Sequence, residues 1–144
     1  MAIVGAVTWN CGNNAQTSSK IEQLTFQAIN RVRTENGLSE LSWDEGLANL
    51  ARSHSDDMVK NHFCGHQRSA GYPDLSAGMG ENCYCQIPYL PPFDSPSGVA
   101  NYAVNGWMQS PGHRANILRP SYYATGIGVV FYGGDCYITE VFQE

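Results

Sequence analysis

The chain has 144 residues, 42% of them hydrophobic and 15% charged, with a net charge of −5. That length suits one domain burying roughly two thirds of its unfolded surface, and the apolar share excludes a disordered chain. The acidic balance excludes nucleic acid as the main partner, because neutralising phosphates needs a basic face. No apolar run approaches the ~20 residues of a membrane span.

The opening AIVGAVTW is apolar but too short for a signal peptide and without a basic start. It reads as the ordered start of a mature protein, and residues 1–18 as an N-terminal extension before a single domain over 19–144. Ser19 with Glu22 forms a capping box, and Ile21, Leu24, Ala28, Ile29 and Val32 then recur at helical spacing. Asn36-Gly37 stops this helix. Ser42 with Glu45 opens a second one, whose apolar face runs Leu47, Leu50, Ala51, His54 and Met58 to an end near Asn61. His54 falls on that apolar face and reads as a satisfied core histidine. His62, at the helix end, reads as a partner for the last carbonyls.

The stretch HFCGHQRSAGYPDLSAGMG has no period and many turn residues, so it is a long loop. ENCYC is a short strand with Cys83 and Cys85 on one face. QIPYLPPFDSPSG is a proline-rich loop in which Tyr89, Leu90 and Phe93 either form an apolar lip for a lipid or tuck down. Residues 99–109 are helical with Trp107 facing inward. Ser110 is a preferred N-cap and Pro111 a preferred first helical residue, so SPGHRANIL starts a new helix. His113 then lies in its first turn, where the helix dipole favours the neutral ring that a metal ligand or general base needs. Two β-rich runs joined at Gly133-Gly134 make a closing hairpin. Helices followed by a late sheet indicate an α+β fold with helices packed on an antiparallel sheet.

Five cysteines, Cys11, Cys64, Cys83, Cys85 and Cys136, show no Cys-x-x-Cys pair. Two disulfides and a free thiol suit an oxidising compartment, and five buried thiols a cytosolic one. Cys136 reaches Cys83 or Cys85 if their strands are neighbours, leaving Cys11 or Cys64 for another partner.

The stretches GLSELSWDEGLANLARSHSDDM, FCGH, GMGENCY and NGWMQSPGHRANILRPSYYATGIGV resemble the CAP superfamily of cysteine-rich secretory proteins, antigen-five allergens and plant pathogenesis-related proteins. SPGHRANIL is more similar to its prokaryotic members, and the resemblance covers about Ile21 to Phe142. It implies a secreted α-β-α sandwich with a central cleft holding two histidines and two acids, able to bind zinc or another divalent ion. Matched position by position, the first histidine is His66, the first acid Glu81 and the second histidine His113. Ser110 stands where the second acid belongs, so two histidines and one carboxylate remain.

Such a set is a plausible zinc site with open positions. The competing reading is a polar cluster in which Glu81 accepts from both imidazoles. Ser110 near His113 invites a nucleophile reading, but an N-cap hydroxyl is expected to accept a backbone N–H instead. Asn116 is expected to hold a loop and Arg114 to pair with an acid. The functional expectation is a cleft that acts by binding a metal, lipid or protein, with a metal-dependent hydrolase as the alternative.

Overall fold

The computed structural model describes residues 11–144, with side chains from residue 15 onward. The opening 2–9 and the Cys11 side chain lie outside the described residues. The first helix, α1 (Cys11–Glu35), starts well before Ser19. The capping box does not form because Glu22 is buried, holding Arg52 at 2.7 Å and accepting the Val129 N–H at 3.3 Å. Gly37, at φ 76°, supplies the left-handed residue after the helix end.

Strand β1 (Ser42–Trp43) precedes α2 (Glu45–Lys60), whose N-cap is Asp44 rather than Ser42. The Asp44 carboxylate accepts the Leu47 N–H at 2.9 Å, and Asn61 is the C-cap. After the long loop come β2 (Met79–Pro88), α3 (Pro96–Met108) and α4 (Pro111–Ile117). The hairpin is β3 (Ala124–Tyr132) and β4 (Asp135–Gln143). The sheet order is β1-β3-β4-β2: the three long strands are antiparallel, and β1 adds two residues parallel to β3.

Side chains alternate across β4, and each face has its own helix layer. Cys136, Ile138 and Phe142 join α1, α3 and α4 in the main core, with Ile21, Ile29, Trp107 and Ile117. Val141 and Tyr137 face α2. The result is the α-β-α sandwich that the resemblance implies. Gly126 and Gly128 bring α2 unusually close: a Cβ at Gly126 would lie 2.0 Å from Ala48 N, and one at Gly128 2.1 Å from Arg52 N. The GIG triplet therefore lets a helix backbone lie directly on β3, where Ser55 Oγ donates to Gly128 O at 2.9 Å.

Arg33 fixes the end of the molecule that carries α4. Its buried guanidinium donates to the carbonyls of Ser39, Ile117, Arg119 and Tyr122, at 2.8–3.3 Å. One α1 side chain thus satisfies carbonyls at the end of α4 and the entry to β3, which would otherwise be buried without partners.

Candidate functional site

Strand β2 is an edge of the sheet, and edge strands leave a row of backbone groups unpaired. Two helices cover that edge here. Trp107 Nε1 of α3 donates to Cys83 O at 3.0 Å, and Asn116 Nδ2 of α4 donates to Glu81 O at 3.2 Å and to Asn82 Oδ1 at 2.9 Å. Asn82 Nδ2 in turn donates to His113 O at 3.1 Å. Asn116 thus ties α4 to β2 rather than holding a loop, and with Asn82 it fixes the backbone that presents His113. A groove of about 450 Å³ runs along this edge, lined by Tyr84, Trp107, Ser110, His113 and the Cys64–Cys85 disulfide.

On the α2 side of β2 lies a dense polar cluster around Glu81. Oε1 accepts from His66 Nδ1 at 2.9 Å and from Arg68 Nη1 at 3.0 Å, while Oε2 accepts from Arg68 Nη2 at 2.5 Å. His54 Nε2 is 3.5 Å from Oε1, and the Cys83 thiol donates to the same oxygen at 3.4 Å. Arg68 is only 5% exposed at its side chain, whereas His66 is 60% exposed. Burial pushes the Glu81 carboxyl up, but hydrogen bonds from Arg68 and His66 and the charge of Arg68 outweigh it and hold the group below its usual range. Glu81 is therefore an ion-paired carboxylate with both oxygens engaged.

His54, Glu81 and Cys83 form a group that could hold a metal ion, their ligand atoms lying within 4.8 Å of one another. The chemistry of the donors disfavours it. His54 Nε2 is 2.7 Å from Gly65 O, so it carries the proton and donates. Burial and the adjacent Glu81 charge push the Cys83 thiol far up, keeping it protonated. Burial likewise lowers His54, leaving its Nδ1 as a buried atom without a hydrogen-bond partner.

His113 does not join the Glu81 hydrogen bonds. Its Nδ1 is 2.9 Å from Ser110 Oγ. Ser110 is the N-cap of α4, yet its hydroxyl makes no capping bond, contrary to the expectation from its position. The hydroxyl instead faces the imidazole, which is the nearest polar partner across the first turn. Burial, then the neighbouring His66, lowers the His113 pKa and keeps the ring neutral. The tautomer that donates from Nδ1 leaves Nε2 bare, and in the other Nδ1 accepts from the Ser110 hydroxyl. No carboxylate stands behind His113 among the described residues. Arg114 makes no ion pair among them either.

Cys64 pairs with Cys85, while Cys83 and Cys136 are free and buried. The Cys136 pairing expected from strand neighbourhood fails because of side-chain direction. Cys136 points into the α1/α3 core, whereas Cys83 and Cys85 face α2. Cys83 lies opposite Thr139, on the other face, and after a bulge between Tyr84 and Ile87 it is Ile87 that lies opposite Cys136. Cys11 lies beyond the described side chains. In the proline-rich loop Tyr89 packs against Phe131 and Phe93 against Tyr102, leaving Leu90 64% exposed.

Arg68 is the functional residue missed from sequence. Its only signal is a position two residues after His66, and nothing local says that it folds back onto a carboxylate 13 residues away.

Residues 26–142 match the family model described as CAP, Cysteine-rich secretory protein family. The uncharacterized membrane protein YlbC of Bacillus subtilis is 34% identical over 116 residues, covering 79% of this chain and 32% of that protein. A crystal structure of an extracellular protein containing a SCP domain from Bacillus anthracis superposes with a TM-score of 0.74 at 27% identity, covering 94% of this chain and 44% of that one. The chain thus spans less than half the length of both. The fold also matches NaASP2, solved with Zn2+, at TM-score 0.55 and 14% identity, covering 92% of this chain and 82% of that one.

Proposed function

The chain belongs to the cysteine-rich secretory protein family, and from that premise we propose that it acts outside the cell by binding, with the groove along the outer edge of β2 as its cleft. One observation carries this reading: both oxygens of Glu81 are already engaged by Arg68 and His66. A carboxylate held by a buried guanidinium is a poor general base, since its proton affinity is lowered. A hydrolase built on this cleft lacks the acid-base partner it needs. The groove suits an apolar or amphipathic ligand, because its lining is dominated by Trp107, Tyr84 and the disulfide, with Gln86, Ser110 and His113 as polar anchors. Extracellular placement is supported by the disulfide and by the extracellular SCP-domain neighbour. No described helix is long and apolar enough to cross a membrane.

A divalent cation is the second reading, favoured by how His66 and His113 are held at their Nδ1 atoms. His66 Nδ1 donates to Glu81, a carboxylate–histidine pair of the kind that sets a metal ligand's tautomer, and His113 Nδ1 is matched by Ser110. His66 and His113 would then hold the ion through Nε2, with Glu81 behind His66 rather than on the metal. The ion would supply a Lewis acid to polarise a ligand oxygen.

Calorimetric titration of metal-free protein with zinc, repeated on His66→Ala and His113→Ala, separates the readings. One-to-one heat lost in both variants establishes the metal reading, and no heat in the wild type removes it. An ester and peptide hydrolysis panel run beside it tests binding against catalysis. Turnover above background by the wild type, lost in His113→Ala, overturns the binding proposal.

A further inference from the structure

A second groove of about 440 Å³ opens between α3 and the proline-rich loop, outside the histidine cluster. Its floor is aromatic. Tyr102 stands edge-on between Phe93, at 4.8 Å between ring centroids, and Tyr84, at 5.5 Å, and is itself 36% exposed. The Tyr84 ring is pinned against the helix backbone, since a Cβ on Gly106 would lie 2.5 Å from its Cε2. Along the same wall Asn101, Asn105 and Gln109 recur every four residues, so their amides form a ladder on one face of α3. No hydrogen bond among the described residues uses any of those three side-chain amides. No lining residue carries a charge.

This combination selects a ligand class. A rigid aromatic platform offers flat apolar area at low entropy cost, and an adjacent amide both donates and accepts, matching a hydroxyl that does the same. A lipid acyl chain would cover the rings but bury the amides without partners. An ionic ligand finds no counter-charge. We propose that this groove binds a neutral oligosaccharide, one sugar face stacked on Tyr102 and its hydroxyls bridged by Asn101, Asn105 and Gln109. The site shares Tyr84 and Gly106 with the first groove but uses neither histidine nor Glu81.

The test follows side-chain amide signals of 15N-labelled protein during titration with chitotriose, cellotriose and maltotriose, each to about 10 mM, as is suitable for affinities near millimolar. Tri-galacturonate and a proline-rich peptide serve as comparisons. At least one neutral trisaccharide is expected to shift the Asn101, Asn105 and Gln109 signals saturably. Asn105→Ala changes an exposed position and leaves the backbone spectrum intact, Tyr102→Ala shifts only signals around its ring neighbours Phe93 and Tyr84, and each weakens that binding about tenfold. The proposal is overturned if no neutral trisaccharide moves those signals, if both variants bind as the wild type does, or if only the peptide or the acidic sugar shifts them.

Discussion

Glu140 is the most exacting test of the packing. It sits in the central strand β4, fully buried, opposite Ile127 of β3 and Asn82 of β2. Oε1 accepts from Thr125 Oγ1 at 3.3 Å, and Oε2 has no partner. Arg33 of α1 lends it some positive potential, but that guanidinium spends its donors on backbone carbonyls. Burial therefore dominates and raises the carboxyl from 4.5 to about 8. Because the folded-state pKa lies above the unfolded one, stability from the protonated acid is complete below about pH 4 and is lost as pH rises towards about 8. At 1.36 kcal/mol per pH unit, roughly 3 kcal/mol is gone at pH 7. Glu140→Gln keeps the shape and the Thr125 contact but cannot ionise. In urea unfolding, the variant should match the wild type within ~1 kcal/mol at pH 4 and exceed it by about 3 kcal/mol at pH 7. Comparing the two proteins cancels every other titrating group. A stability difference that is the same at both pH values, or a variant weaker at pH 7, would mean that Glu140 is ionised against Arg33 and the burial argument is wrong.

Gly126→Ala forces a methyl to within 2.0 Å of Ala48 N, so α2 must move; thermal unfolding should show a loss of ~3 kcal/mol or more, the upper end for overpacking. Trp107→Phe leaves the Cys83 carbonyl without its donor and should cost about 1–3 kcal/mol in urea midpoint analysis. Cys64→Ala with Cys85→Ala opens a loop of sequence separation 21, for which chain entropy predicts a loss of about 3 kcal/mol; unchanged stability under reducing conditions would argue that the bond contributes nothing. Glu81→Gln strands the buried Arg68 charge and should destabilise by ~3–5 kcal/mol, a change that Arg68→Met in the same chain should partly relieve.

Elements whose signals are local were readable from the chain. The C-terminal ends of α1 and α2, the restart at Ser110-Pro111 and the Gly133-Gly134 hairpin each depend on residues within a few positions. What failed depends on partners far away. Glu22 was read as a helix cap, but Arg52, 30 residues on, claims it. Cys136 is a strand neighbour of the β2 cysteines, which is legible, but the register that puts Cys83 opposite Thr139, and so on the other face from Cys136, is not. The cleft residues His66, Glu81 and His113 were legible only through their resemblance to a family, as residues 66, 81 and 113 carry no spacing signal. The structure brings His66 onto Glu81 and leaves His113 on Ser110.

Ser110 and Arg68 are best understood together. Ser110, not an acid, stands beside His113, and the carboxylate that holds His66 is Glu81, which a single guanidinium neutralises. Arg68 meets Glu81 through both nitrogens, His54 is held neutral by burial, and His113 is kept uncharged by burial and by His66. The Glu81 carboxylate is thus already neutralised without any ion. A divalent cation added to it would bring two uncompensated positive charges to a site that has already spent its anion, so zinc should bind more weakly than where a second acid is free. Restoring that acid with Ser110→Glu puts a carboxylate next to His113 and should raise zinc affinity by at least tenfold in the calorimeter. Unchanged affinity would show that charge balance does not govern this cleft.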